Sequence, residues 1–129
     1  MTNKEKELLL RDLCCRLPYG VMIHVEHDWY EDEVPPYDAL LTVECHSILN
    51  NFSKNPLTCC FIIKPYLRPI SSMTDEEDAE YQFLCGTCGY DTDHKQAERI
   101  IVWLEERHFD HRDLIQMGLA LEAPEEMYN

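Results

Sequence analysis

The segment from residue 62 to residue 74, called the proline segment below, constrains the fold because it separates two kinds of sequence pattern. The pattern before it is typical of β-strands, and the pattern after it is helical. Pro65 and Pro69 lack backbone N–H donors, so a strand ladder is expected to end near them. Thr74 and Glu77 have the spacing of a capping box, which predicts that a helix begins directly after Thr74.

Length and charge limit the class of protein. The chain has 129 residues, which predicts one domain, residues 1–129, with a real core. Its 25 acidic and 11 basic residues give a net charge of -14, which disfavours direct binding to nucleic acid or anionic lipid and favours basic protein partners. The charged start and the lack of a long apolar run predict neither a secretory signal nor a membrane span. We therefore expect a cytoplasmic location and free thiols at the seven cysteines.

The first helix is predicted over residues 3–17. Thr2 and Glu5 form another capping-box pattern at its start, and Pro18 follows its end. The apolar residues that recur at helical spacing predict its buried face, namely Leu10, Leu13, Cys14 and Leu17.

Strands are predicted next, at residues 20–27, 37–45 and 57–63, with a possible further strand near residues 46–48. Alternation of apolar and polar residues supports the first two, and a continuous apolar run supports the third as a central strand. Sequential strands joined by turns predict a small antiparallel sheet of three to four strands, which could close into an SH3-like barrel.

Helical patterns resume after the proline segment. They predict a helix from residue 75 to about 84 and another that opens near residue 92. In the second of these helices, the residues that recur at i, i+3 and i+4 are Ala97, Ile100, Ile101, Leu104 and His108. The tail, residues 109–129, contains a short apolar run and is expected to pack on the rest. The predicted class is therefore α+β, with an N-terminal helix, a small sheet, two helices and a packed tail.

Three parts of the chain resemble small proteins of prophages and mobile elements of gut bacteria. They are IKPYLRP and SSMT within residues 63–74, DLC and RLPYGV within 12–21, and HFD, LI and GLALEA within 108–123. His111 and Asp113 depart from this pattern, where tyrosine and glycine are expected. The resemblance implies a viral or mobile-element protein in a bacterial cytoplasm, and it implies no mechanism.

Cys85 and Cys88 form a CxxC motif, with His94 nearby. Two thiolates and an imidazole could bind zinc, but a structural zinc site needs four ligands, so His108, His111 or a distant cysteine would have to complete it. The alternatives are a redox dithiol or ordinary turn cysteines. We predict no cofactor, with zinc as the alternative.

Residues 108–113 read HFDHRD, a pattern that could bind a metal or shuttle protons. The interpretation we favour is a helix C-terminus, in which Arg107 and His108 complement the helix dipole and Asp110 or Asp113 caps the next turn. The sequence shows no nucleophile motif and no glycine-rich phosphate loop. We therefore predict that the protein is not an enzyme.

Lys64, Tyr66 and Arg68 alternate along the proline segment. In an extended segment they could share a face and bind an anion, a nucleotide or a nucleic-acid backbone. The interpretation we favour is that they pair with the carboxylates of residues 75–80.

An acidic loop with two aromatic residues is the second candidate interaction site. Its candidate residues are Trp29, Tyr30, Glu31, Asp32 and Glu33. Aromatic side chains among charges suit an interface anchor, although they could equally fold back over the sheet. The acidic clusters at 26–33 and 75–80 are either solvated faces or imitations of a phosphate backbone.

These observations predict a non-enzymatic acidic binding protein that acts by protein–protein interaction. Its expected partner is a basic surface of a host or viral protein, with no direct nucleic-acid or membrane binding. One alternative is an anti-defence inhibitor that mimics nucleic acid or sequesters a nucleotide. Another is a zinc-stabilised protein associated with nucleic acid.

Overall fold

The computed structural model describes residues 2–27, 36–41, 61–86 and 94–128 of the chain. The helices in these ranges are α1, Asn3–Arg16; α2, Asp75–Gly86; and α3, His94–Glu106. The strands are β1, Met22–His27; β2, Tyr37–Leu40; β3, Phe61–Leu67; and β4, Leu121–Glu122. Short 3-10 turns follow α1 and precede α2, at Leu17–Tyr19 and Ile70–Ser72.

The strands form one open mixed sheet in the order β2-β1-β3-β4. The central strand β1 is antiparallel to both β2 and β3, whereas the two-residue strand β4 is parallel to β3. The α+β class with an N-terminal helix, a small sheet and two later helices is therefore confirmed. The sheet is not purely antiparallel and is not closed into a barrel, because the tail supplies an edge strand that runs alongside β3.

The main core lies between α1, one face of the sheet and the tail. Alternation along β1 and β3 turns every second side chain toward α1. The fully buried apolar residues include Leu9, Leu13, Val21, Ile23, Val25, Ile63, Leu67 and Leu114. The packed tail is thus confirmed, since Leu114, Leu119 and Ala120 belong to this core.

The buried face of α1 differs from the predicted one. Cys14 is exposed, and Leu10 and Leu17 are only partly buried, whereas Asp12 and Arg16 are fully buried beside Leu9 and Leu13. The prediction from apolar spacing was wrong because an ion pair lies on the buried face of α1. Asp12 Oδ2 and Arg16 Nε are 2.8 Å apart there. Two neutralising charges four residues apart can be buried together where either one alone cannot.

The strand ladder ends between Pro65 and Pro69, as predicted, although Pro65 itself still lies within it. β3 continues to Leu67, and Pro65 lies opposite Ile23 within the ladder. One position further on, the Tyr66 carbonyl accepts a hydrogen bond from the Tyr128 hydroxyl at 2.6 Å, and that hydroxyl accepts one from the Met22 N–H at 3.0 Å. Because backbone groups alternate along a strand, the Pro65 nitrogen turns away from β1 and no ladder bond is lost.

The helix starts agree with the sequence. Thr2 and Glu5 form a complete capping box at α1. Thr74 and Glu77 form the same pair of side-chain bonds, 3.1 and 3.2 Å, before α2. The third helix begins at His94 in the described residues. Its predicted opening near residue 92, the possible strand at 46–48 and residues 42–45 and 57–60 of two predicted strands lie outside them.

The end of α3 differs from the predicted rhythm. Ala97 and Ile101 are exposed and Trp103 and Leu104 are buried. His108 lies beyond the helix with a positive φ of 65°.

A second, smaller core holds α2 and α3 together. Its buried members are Trp103, Leu104 and Phe109, and Met73, Tyr81 and Leu84 pack against them partly buried. The Trp103 ring stacks on Phe109 and lies against Tyr81, with centroid distances of 5.9 and 5.7 Å. Although α2 packs here, none of its residues is buried. Within the described residues, no helix has both the length and the apolar character needed to cross a membrane.

Candidate functional site

Arg68 joins the proline segment to α2 and to the tail. Its Nη2 and Nη1 lie 2.6 and 2.9 Å from the two carboxylate oxygens of Glu77, and its guanidinium lies 4.2 Å from the centroid of the Phe109 ring. Its backbone N–H donates to the His108 carbonyl, and its carbonyl accepts from the Asp110 N–H. The Arg68 hydrogen bonds are the main cause that lowers the pKa of Glu77 to about 2. Because Glu77 already neutralises the charge of Arg68, this side chain has a structural role.

Lys64 and Tyr66 do not share that environment. They lie on the sheet face opposite α1, where the Tyr66 hydroxyl donates to Asp38 Oδ1 at 2.9 Å. Arg68 pairs with Glu77, in agreement with the favoured pairing to residues 75–80, whereas the Tyr66 hydroxyl is bonded to Asp38. A nucleotide site built from Lys64, Tyr66 and Arg68 stays a prediction.

The outer face of the sheet carries a polar cluster centred on His24. Its Nδ1 lies 2.7 Å from Asp38 Oδ1 on β2, and its Nε2 lies 3.0 Å from Glu26 Oε1 on β1. The hydrogen bond to Asp38 is the largest cause that raises the pKa of His24, and that bond together with the one from Tyr66 lowers the pKa of Asp38. Both ring nitrogens face carboxylates, so the imidazolium form ties the edge strand β2 to β1.

The HFDHRD segment forms the junction between α3 and the tail. Bonds from the His108 N–H to the Glu105 carbonyl, 3.0 Å, and from the Phe109 N–H to the Leu104 carbonyl, 2.9 Å, make the pattern of a Schellman motif. The His108 ring stacks on Tyr128 at 3.8 Å between centroids. Burial, with Arg16 and Arg68 nearby, lowers the pKa of His108 to about 4.

The carboxylate of Asp110 caps the turn that follows. It accepts bonds from the Leu114 and Ile115 N–H groups at 2.9 and 3.0 Å. The helix end and the Asp110 cap of the favoured interpretation therefore agree with the geometry. His108 does not complement the helix dipole as expected, because its lowered pKa leaves the ring neutral near pH 7.

A buried charge cluster lies behind this junction. Asp12 accepts from Arg16 Nε at 2.8 Å and from Arg112 Nη1 at 2.6 Å, and Arg16 Nη2 donates to the Phe109 carbonyl at 2.7 Å. His111 Nε2 lies 3.1 Å from Glu105. Burial and the adjacent Arg112 lower the pKa of His111. This cluster ties α1 to the tail.

The other predicted site residues are described only in part. Trp29, Tyr30, Glu31, Asp32 and Glu33 lie outside the described residues, as does Cys88. Cys85 is a partly buried free thiol at the end of α2. His94 begins α3, and its side chain is also outside the described part of the chain. The zinc hypothesis and the aromatic loop therefore stay predictions.

The outer surface of α2 is strongly acidic; the sequence left it open whether this cluster is a solvated face or an imitation of a phosphate backbone. Its exposed carboxylates are those of Asp75, Glu76, Asp78 and Glu80. Phe83, on the same helix, is 70% exposed. These carboxylates and this ring make the helix a candidate interaction surface.

An apolar groove lies between α2 and α3. Leu84, Val102 and Trp103 line a cavity of about 470 Å³, together with Glu98, Arg99 and Glu106. Ile101 and Val102, 41% and 38% exposed, extend this apolar surface along α3. In the sequence, the groove was indicated by the apolar residues of α3, which are more numerous than one buried face requires.

The fold and these features define a small α+β protein with an acidic helical surface and an adjoining apolar groove. Comparison of the chain with protein-family models, curated proteins and solved structures found no match. The functional argument therefore depends on the sequence and the geometry of this chain.

Proposed function

We propose that this chain is a non-enzymatic binding protein that acts by covering a basic surface of another protein. The observation that carries the proposal is the outer surface of α2, which presents four exposed carboxylates and buries none of its own residues. The whole chain has a net charge of -14, so its negative electrostatic field is not limited to α2. Such a field speeds the approach of a basic partner and repels nucleic acid.

Two further observations support binding rather than chemistry. Two side chains that the sequence offered as candidates for ligand or metal binding have structural roles. Arg68 pairs with Glu77, and Asp110 caps the tail turn. The acidic surface of α2 also has no comparable set of cations facing it. Among the described residues, Glu80 is the one of its four carboxylates that forms an ion pair, with Arg107 at 3.4 Å. The charge of α2 is thus left mostly uncompensated. A cytoplasmic, mobile-element origin belongs to the same proposal through the resemblance of the sequence.

The test compares the full chain with a variant whose α2 surface is neutral. That variant carries Asp75→Asn, Glu76→Gln, Asp78→Asn and Glu80→Gln. A matched control removes four exposed carboxylates elsewhere, with Glu7→Gln, Glu122→Gln, Glu125→Gln and Glu126→Gln. Each protein is used as bait in bacterial cytosol, the captured protein is purified, and its affinity for all three baits is measured across a salt series.

We expect the purified partner to bind the full chain and the control alike, and to bind the α2 variant at least about tenfold more weakly. Binding should weaken with salt, because exposed charges are screened. Equal affinity for the α2 variant and the full chain would overturn the proposal. Competition by duplex DNA for the same partner would identify the special case of a nucleic-acid mimic.

A further inference from the structure

We propose that residues 121–128, called the strap below, are held against the sheet by the stack of Tyr128 on His108 and are released when His108 takes up a proton. The inference concerns the tail and does not depend on the binding function proposed for α2. Release of the strap would uncover the edge of β3. An uncovered sheet edge presents unpaired backbone groups to other strands.

The strap is attached more weakly than the segment before it. None of its residues is buried, whereas Leu119 and Ala120, directly before it, belong to the main core. Within the described part of the chain, its backbone pairs with β3 through the two residues of β4 and through the Ala123 N–H, which donates to the Leu67 carbonyl at 2.8 Å. A segment with few buried contacts opens at a lower free energy than the core does.

Tyr128 fastens the far end of the strap. Its hydroxyl accepts a bond from the Met22 N–H and donates one to the Tyr66 carbonyl, at 3.0 and 2.6 Å. Its ring stacks on the His108 ring, with 3.8 Å between the centroids and 19° between the planes. Opening of the strap therefore breaks the bridge between the strands and the stack together.

The surroundings of His108 disfavour a positive charge on its ring. Burial, with Arg16 of α1 and Arg68 nearby, lowers the pKa of His108 to about 4 from the ordinary 6.5. The ring also lines a cavity of about 330 Å³, and the other charged residues on that cavity wall are Arg68, Glu77, Glu106 and Arg107. Both of these carboxylates are already paired, Glu77 with Arg68 and Glu106 with Arg107.

Protonation would also leave a hydrogen-bond donor of His108 without an acceptor. The Nδ1 atom is buried and has no hydrogen-bond partner among the described residues. A neutral imidazole has one N–H, which can be on Nε2, whereas an imidazolium has an N–H on both nitrogens. A buried unpaired donor is costly, and opening of the strap removes this cost because the ring then reaches solvent.

Acid therefore favours the open strap. The open state binds a proton on His108 more readily than the closed state, so the fraction of open strap rises as the pH falls below 6.5. If opening restores the ordinary pKa, the ratio of open to closed strap increases roughly 20-fold from pH 7 to pH 5.

Native-state hydrogen exchange of the full chain at pH 7 and pH 5 tests this proposal. The protection factor of the Ala123 amide, corrected for the intrinsic pH dependence of exchange, reports opening of the strap. The Leu119 amide, which donates to the Leu114 carbonyl at 2.9 Å, reports opening of the core just before the strap. We expect the protection at Ala123 to fall roughly 20-fold and the protection at Leu119 to change much less.

Two variants assign the effect to one histidine. His108→Asn removes the titrating ring, and asparagine tolerates the positive φ of 65° at this position, so the pH-dependent fall at Ala123 should disappear. His111→Gln is the matched control, because the pKa of His111 is also lowered but its ring faces Glu105 and Arg112 instead of the strap. The fall should persist in this control, and its loss there would assign the effect to His111 and overturn the proposal.

Three further results would overturn the proposal: no fall in the wild type, an equal fall at Ala123 and Leu119, or a fall that persists in folded His108→Asn. Circular dichroism shows whether this variant is folded. If it is not, an NMR titration of the wild-type His108 ring decides. A midpoint well below pH 6.5, at which the Tyr128 ring signals also shift, supports the proposal, and a midpoint at or above pH 6.5 overturns it.

Discussion

Arg68 and Glu77 form a two-bond ion pair that connects the end of the sheet to the first turn of α2, with N–O distances of 2.6 and 2.9 Å. Glu77 also completes the capping box with Thr74, so one carboxylate serves both a local and a long-range contact. The guanidinium covers the Phe109 ring on its other side. The pair therefore fixes the position of α2, and with it the acidic surface and the groove.

The first prediction concerns Glu77→Gln. The folded pKa of about 2 lies below the ordinary 4.5, so the ionised carboxylate stabilises the fold above pH 4.5 and loses that effect as the pH falls toward 2. At about 1.4 kcal/mol for each unit, the difference is about 3 kcal/mol. Urea denaturation should show that loss in the wild type across this window and a flatter profile in Glu77→Gln. The control, Glu76→Gln, should keep the wild-type profile, and a flat wild-type profile would contradict the assignment.

The second prediction concerns the buried charge cluster. Asp12→Asn leaves Arg16 and Arg112 without their shared carboxylate, and breaking a buried ion pair of this kind costs roughly 3–5 kcal/mol. The free energy of unfolding from chemical denaturation measures it. Asp75→Asn, an exposed carboxylate at the start of α2, is the matched control and should cost no more than about 1 kcal/mol. Equal effects of the two substitutions would show that the cluster is not buried as described.

The third prediction concerns the Tyr128 hydroxyl, which bridges Met22 and Tyr66 between neighbouring strands. Tyr128→Phe keeps the ring stacked on His108 and removes only the bridge. Two backbone groups then lose their partner, at a cost of roughly 1–3 kcal/mol. Faster hydrogen exchange at the Met22 amide should accompany the lower stability. Tyr19→Phe, at a partly exposed tyrosine, provides the control, and unchanged Met22 exchange in Tyr128→Phe would rule out the bridge.

The fourth prediction concerns pH and the edge strand. The pKa of His24 is raised above 6.5 in the folded protein, chiefly by the Asp38 hydrogen bond. The stabilisation is therefore complete below pH 6.5 and is lost as the pH rises through the folded pKa. Amide exchange in β2 should accelerate over that range in the wild type. In His24→Gln the acceleration should disappear, and its persistence there would assign it to another group.

The elements defined by neighbouring residues were predictable from the sequence. The two capping boxes, the alternation of Val21, Ile23 and Val25, and the helix after Thr74 all depend on residues within a few positions of each other. The open mixed sheet was not predictable, because the two residues of β4 carry no strand pattern of their own. They pair with β3 only after the tail has packed against the core.

The candidate site divides in the same way. The acidic cluster at residues 75–80 and the apolar excess of α3 are visible in the sequence. The groove itself is not, because it exists only once Leu84 and Val102 face each other across two packed helices. Tyr66 and Arg68 looked equivalent in the sequence, but the structure gives them different partners, Asp38 and Glu77.

The sequence by itself determined where helices begin, which strand residues are buried and how negative the chain is, because these depend on local chemistry and composition. Tertiary structure alone decided that Asp12 and Arg16 could be buried and that β3 could pass through Pro65. Each of these depends on groups far apart in the chain, such as Arg112 beside Asp12 and Tyr128 beside Met22. A buried charge or an interrupted ladder is stable only when such a distant partner satisfies it.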